Sequence, residues 1–263
     1  LNGLPAVYTE DDQEAVTLDV ILEDPLIQVQ LILSYTIFED YDVVCRNAKF
    51  VNHGCRTVKL NRAMSLSIDL YDDDFEMIQL DGAWSRERHI VRRKLVGGIQ
   101  SVSSARGASS MDQNPFIALK RPWATEQSGE VYGFCLIYSG NFLAQVEVDR
   151  YETARVMMGI NPFEFSWMLE TGEEFQTPEG VMVYSCEGLN GMSQNFHSLF
   201  TKRLVRGPWR EKERPILLNN WEATFFKFDE KKILDIAEKA RHLGAELFVL
   251  DDGWFGKRDD AGS

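Results

Sequence analysis

The chain has 263 residues, with 28 Lys and Arg against 41 Asp and Glu and a formal net charge of −13. Nucleic-acid affinity draws mainly on a basic face that releases counterions from phosphates, so this balance argues against nucleic acid and anionic membrane surfaces as partners. At 44% hydrophobic and 26% charged residues, the composition is that of a globular chain with a sizeable core, in one or two domains of roughly 100–200 residues each.

From Val16 to about Cys186 the dominant period is two, which sends alternate side chains to opposite faces of a strand. Ile27, Val29, Leu31, Leu33, Tyr35 and Ile37 alternate with Gln28, Gln30, Ser34 and Thr36, the pattern of a half-buried antiparallel strand. Further strands are expected at Leu66-Ile68-Leu70, Val131 to Tyr138, Phe142-Ala144-Val146-Val148 and Val181 to Cys186. Short strands punctuated by Gly, Asn, Asp and Pro argue for a sandwich. Ser101 to Ser110, followed by Asn114-Pro115-Phe116, reads as a long polar loop in which Arg106 is solvated or reaches a site or a neighbouring subunit.

The period then changes. Met192, Phe196, Leu199, Phe200 and Leu204 recur at three and four, so Gly191 to Val205 is expected to be a helix with one apolar face. The charged, proline-bracketed run from Gly207 to Pro215 reads as a domain connection. The expected domains are therefore 1–206, a sandwich with its closing helix, and 207–263.

After Pro215 comes a short apolar run, Ile216-Leu217-Leu218. Asp229 is placed to cap a helix with apolar positions Ile233, Ile236, Ala237, Ala240 and Leu243, and Gly244 to end it. Leu247-Phe248-Val249-Leu250 is a continuous apolar strand, of the kind buried on both faces of a parallel sheet. One strand-helix-strand unit cannot bury itself, and an eight-stranded barrel of such units takes about 250 residues. If this unit opens a barrel, most of the barrel lies outside the chain.

The apolar stretches fall far short of the roughly 20 residues needed to cross a bilayer, and no charged, apolar, small-residue leader opens the chain. Cys45, Cys55, Cys135 and Cys186 form no Cys-x-x-Cys pair, and the histidines show no His-x-x-x-His spacing. The expectation is buried free thiols in a cytoplasmic protein, without a structural metal. Because the chain starts at Leu1 rather than Met and stops after an expected strand end, it is read as a fragment.

Sites of parallel α/β architectures form at the carboxyl ends of strands. Here those ends read Asn219-Asn220-Trp221-Glu222-Ala223 and Asp251-Asp252-Gly253-Trp254-Phe255. Adjacent carboxylates cost desolvation and mutual repulsion, which hydroxyl-rich ligands or a divalent cation offset. No Gly-x-x-x-x-Gly-Lys or Gly-x-Gly-x-x-Gly phosphate cradle accompanies them, which favours a neutral polyol. The competing reading makes Asp251 and Asp252 turn or helix caps. Trp221 is either a platform for a sugar ring or a core aromatic, Glu222 is catalytic or pins the loop, and Trp254 is structural.

These strand-end strings resemble the opening of the catalytic barrel in family 36 glycoside hydrolases, the microbial α-galactosidases. Phe38-Glu39-Asp40-Tyr41-Asp42-Val43, Ser109-Ser110 with Asn114-Pro115-Phe116, and Gly159-Ile160-Asn161-Pro162 resemble that family's β-supersandwich. The likeness covers essentially the whole chain, and Leu250-Asp251-Asp252-Gly253-Trp254-Phe255 is its most specific part. It implies a multidomain β then α/β fold: an antiparallel β-supersandwich followed by the start of an incomplete (β/α)8 TIM barrel. It also implies retaining hydrolysis of terminal α-galactosyl units, with Asp251 and Asp252 binding galactose hydroxyls and Trp221 packing on the sugar. No metal or organic cofactor is implied, and the parent is expected to be a tetramer. The family's nucleophile, in a Lys-x-Asp motif on a later strand, and its acid/base Asp are expected beyond Ser263, so this segment alone is expected to be inactive. Met111-Asp112-Gln113 stands where family members commonly show a His before Asn-Pro-Phe. The alternatives are a noncatalytic β-sandwich carbohydrate-binding module, or a related α-N-acetylgalactosaminidase or galactosyl transferase.

Overall fold

The computed structural model describes residues 5–260 and 262; the first four positions of the expected sandwich domain lie outside the described residues. In chain order the strands are β1 Val16–Asp24, β2 Val29–Phe38, β3 Val43–Asn52, β4 Val58–Leu60, β5 Met64–Leu70, β6 Glu76–Ala83, β7 Arg86–Lys94, β8 Gly98–Ser103, β9 Gln113–Lys120, β10 Val131–Ile137, β11 Phe142–Val148, β12 Ala154–Ile160, β13 Trp167–Leu169, β14 Glu174–Gln176 and β15 Glu179–Ser185. Then follow α1 Gly188–Arg203, β16 Leu217–Asn219, α2 Trp221–Thr224, α3 Glu230–His242 and β17 Leu247–Val249. The chain divides into two compact units, Leu1–Val205 and Arg206–Ser263.

In the first unit a nine-stranded sheet runs β1-β2-β3-β15-β10-β9-β6-β7, with β14 also beside β3, and a four-stranded sheet runs β5-β12-β11-β8. Every pairing in both is antiparallel, as in Val131↔Ser185 of β10 and β15 and Phe142↔Ile160 of β11 and β12. Side-chain alternation gives the large sheet two working faces. Ile117, Leu119, Phe134 and Leu136 point to the four-stranded sheet and meet Leu66, Val102, Phe142, Val146, Val156 and Met158, all essentially buried. Their neighbours Ala118, Val131, Val181 and Val183 point the other way, to Met192, Phe196 and Leu199 of α1. Each large apolar side chain removed from water in this way contributes about 1.5–3 kcal/mol, so the sandwich and its helix are held mainly by these two layers.

Helix α1 approaches the sheet closely because Gly133 lies beneath it: a Cβ there would stand 2.5 Å from the Phe196 ring and 2.7 Å from the Met192 sulfur. The helix begins at Gly188, earlier than the Gly191 expected from its apolar spacing. β1 forms an edge whose Val16, Leu18 and Ile21 are exposed.

The alternating pattern locates β2, β5, β10, β11 and β15 closely. It does not expose β3, β6 or β7, where charged residues interrupt it, or β9, where the continuous apolar run Phe116 to Leu119 replaces alternation. Arg46 of β3 is buried because its guanidinium stacks 4.9 Å from the Tyr35 ring centroid and donates to the Ser67 carbonyl. The expected long loop is shorter than the sequence suggests: Ser101 to Ser103 belong to β8, and Asn114-Pro115-Phe116 belong to β9. Ladder bonds to β11 and β10 draw both segments into strands. Arg106 remains in the loop and pairs with Asp112 of the same loop. The cysteines are all free, but only Cys45 is buried; Cys135 is half-buried, and Cys55 and Cys186 are exposed, against the expectation of burial.

In the second unit β16 and β17 pair in parallel, Leu217↔Leu247 to Asn219↔Val249, with α2 and α3 between them. Asp229 caps α3 by accepting the Lys232 N–H at 2.8 Å, and Gly244 follows it at φ +92°. Of the expected apolar face, Ala240 is buried and Ile233, Ile236 and Ala237 are half-buried, while Leu243 at the helix end is exposed. Leu217, Leu247 and Leu250 are also left open, so this unit does not by itself cover its sheet.

Candidate functional site

The carboxyl ends of β16 and β17 are tied together by side-chain amides. Asn220 is fully buried; its Oδ1 accepts the Asp251 N–H at 2.8 Å, and its Nδ2 donates to Thr224 Oγ1 at 2.8 Å. Asn219 bridges the same ends, donating through Nδ2 to Asp251 Oδ2 at 2.6 Å and accepting the Trp221 N–H at 2.8 Å. Parallel strands three residues long hold few ladder bonds, so these two carboxamides do much of the work of setting the loop ends.

The adjacent acids avoid mutual penalty by having different donors. Asp251 accepts from Asn219 and from the Asp252 N–H at 2.8 Å. Asp252 accepts the Gly253 N–H at 2.7 Å and receives Arg258 in a two-point fork, Nε to Oδ1 at 3.0 Å and Nη2 to Oδ2 at 2.9 Å. The Arg258 hydrogen bond is the main reason the Asp252 carboxyl is held below the usual carboxylate range. Gly253 has φ +91°, the left-handed region suited to glycine, and faces the Phe226 and Phe228 rings.

Asp251 and Asp252, with Val249, Leu250, Trp254 and Phe255, line an open hollow of about 450 Å³. Trp221 is not in that lining. Its ring is half-buried, edge-on to Phe225 and Phe226 at centroid distances of 5.4 and 4.9 Å. Trp254, read from the sequence as structural, is instead 64% exposed at the hollow. Glu222 is exposed in α2. The residues sequence reasoning passed over are Asn219, Asn220 and Arg258. A pair of carboxamides at a strand end is a visible signal for the first two, whereas Arg258 sits in a charged run that resembles any solvated turn. A larger cavity, about 620 Å³, lies between α1 and the sheet, but Ile78, Leu80, Phe116, Leu189, Phe196 and Phe200 make its lining mostly apolar.

The Lys-x-Asp spacing does occur in this chain, at Lys227-Phe228-Asp229 and Lys257-Arg258-Asp259. Neither copy is on a strand. Asp229 is engaged as the α3 cap, and Asp259 follows the hollow in an exposed loop.

Fold and hollow together define a class: an antiparallel sandwich protein that continues into the opening of an α/β unit with acids at its strand ends. Residues 1–170 match the model of the glycosyl hydrolase family 36 N-terminal domain, and residues 174–263 match that of Melibiase. The chain belongs to glycosyl hydrolase family 36. It is 60% identical over 260 residues to α-galactosidase AgaA of Geobacillus stearothermophilus, covering 99% of this chain and 36% of the relative. It is 49% identical over 263 residues to α-galactosidase Mel36A of Lactobacillus acidophilus, covering 100% of this chain and 36% of the relative. The crystal structure of AgaA superposes with a TM-score of 0.96 over 99% of this chain and 36% of that one. AgaA variants in complex with stachyose and with raffinose, 59% identical, superpose at 0.95 and 0.96 over the same shares. The chain thus spans about a third of the length of these relatives.

Proposed function

We propose that this chain is part of an α-galactosidase that hydrolyses terminal, non-reducing α-D-galactosyl residues of oligosaccharides such as raffinose and stachyose, with retention. The observation that carries this reading is the hollow at the end of β17, where Asp251 and Asp252 stand side by side as charged acceptors. The sequence is also 60% identical to an α-galactosidase over nearly its whole length. Asp251 and Asp252 accept hydrogen bonds from sugar hydroxyls, each charged bond contributing about 1.5–3 kcal/mol. Sites built around a hydroxyl strongly reject analogues that lack it. Trp221, whose backbone N–H is linked to Asp251 through Asn219, packs against Phe225 and Phe226 outside the hollow, whereas the exposed Trp254 in its lining offers an indole to the same ligand as the two carboxylates. The attacking carboxylate and the acid/base carboxylate of retaining chemistry come from other parts of the whole protein.

Free thiols support a reducing, cytoplasmic setting, and the open apolar edge of β1 supports an oligomeric parent, a tetramer by the family resemblance. The test is Asp252→Ala in the whole enzyme, assayed on an aryl α-galactoside. The expected loss in kcat/KM corresponds to about 2–4 kcal/mol, and an unchanged value would return Asp252 to a turn-capping role. The 263-residue chain alone is expected to show no hydrolysis, and turnover by it would defeat the assignment of the reacting groups elsewhere.

A further inference from the structure

We propose that Arg258 is a positioning residue for sugar recognition: its guanidinium fork fixes the rotamer of the Asp252 carboxylate and leaves one acceptor position of that carboxylate turned to the hollow. The inference rests on the reading of Asp252 as a sugar ligand and names what makes that ligand selective. A carboxylate offers about four acceptor positions. Three are occupied here, by the Gly253 N–H, Arg258 Nε and Arg258 Nη2. A free Asp side chain turns about two bonds and meets a hydroxyl in many geometries, whereas a forked carboxylate presents a single direction.

Arg258 is itself held. Its Nη1 donates to the Asp260 carbonyl at 2.9 Å, and its guanidinium carbon stands 5.5 Å from the Phe226 ring centroid. Phe226 also touches Trp221 edge-on, so one aromatic ring backs both the cation and the indole. The pair is three-quarters covered, with 22% of the Arg258 side chain and 26% of the Asp252 side chain exposed, which sets it apart from a fully solvated surface pair. Lysine, a point charge without the fork, reproduces the charge but not the two-point geometry.

The experiment is a double-mutant cycle in the whole enzyme with an aryl α-galactoside, using Asp252→Asn, Arg258→Met, Arg258→Lys and the Asp252→Asn/Arg258→Met pair. Arg258→Met is expected to lower kcat/KM about tenfold to a hundredfold, Arg258→Lys to fall between it and wild type, and Arg258→Met to add less than about twofold on the Asp252→Asn background. Equal losses on both backgrounds would mean that Arg258 acts only through general loop stability and would overturn the proposal. If Arg258→Met does not fold, Arg258→Lys alone decides: wild-type kcat/KM in that variant overturns the fork. Damage from Asp252→Asn with none from Arg258→Met removes the positioning role and leaves the sugar-ligand reading intact. A harmless Asp252→Asn removes both.

Discussion

Asn220 and Asp251 join the two parallel strands at their functional ends: the buried Asn220 Oδ1 accepts the Asp251 backbone N–H at 2.8 Å. This bond places the first of the two acids, and the rest of the hollow is built outward from it. Asn220→Ala leaves the Asp251 N–H without its acceptor and removes the amide donor to Thr224 Oγ1, whose hydroxyl keeps the backbone carbonyls of residues 220 and 225. The expected cost is about 1–3 kcal/mol, read as a lower urea midpoint for residues 206–263 in hydrogen exchange. Unchanged protection at Asp251 would show that the carboxamide is not what holds the strand ends together.

The contact between α1 and the large sheet has a sharp steric requirement at Gly133. Gly133→Ala drives a methyl into Phe196 and Met192 and is expected to destabilise the sandwich by about 1–3 kcal/mol. Gly97→Ala, where nothing stands within 4 Å and φ is not positive, serves as the control and is expected to stay within about 0.5 kcal/mol. Equal midpoints for the two variants in denaturant titration would refute the close-approach account.

Acid should weaken the sandwich through its ion pairs. The Arg121 hydrogen bond holds Asp72 below the usual carboxylate range, and Arg203 and Arg155 do the same for Glu14 and Asp69. A carboxyl whose folded pKa is depressed adds stability above its unfolded value, near pH 4, and loses it as pH falls through the folded value. Because Asp72 is nearly half exposed, its share is reduced by solvent screening. Arg121→Met is therefore expected to lower Tm most near neutral pH, and the gap should narrow toward pH 3. A gap that widens with acid would reverse the sign of this linkage.

Thiol reactivity should split the four cysteines in two. Burial pushes the Cys45 thiol well up, and the Cys135 thiol is pushed up to about 12. The thiolate is the reacting form, so Cys45 and Cys135 should resist an aromatic disulfide reagent at pH 8, while the exposed Cys55 and Cys186 react. Four fast thiols in the folded chain would contradict the core described here.

What the sequence determined by itself was whatever repeats over short range. Alternation located β10, β11 and β15, the 3.6-residue period located α1 and α3, and Asp229 and Gly244 marked the ends of α3 because caps answer needs that arise within one turn. The Asp251-Asp252 pair was legible as well, since two carboxylates beside an apolar strand are costly wherever the chain goes next. Tertiary structure decided the rest. β3, β6, β7 and β9 are strands because of their ladder partners, some of them far along the chain, and a charge such as Arg46 is tolerated inside β3 where the adjacent β2 supplies a ring and β5 of the other sheet supplies a carbonyl. Which donor each acid takes, and that Trp254 rather than Trp221 lines the hollow, depends on where short strands and loops come to rest in space. Spacing along a chain encodes periodic burial, but a directional bond between distant side chains exists only once the fold has brought them within about 3 Å of each other.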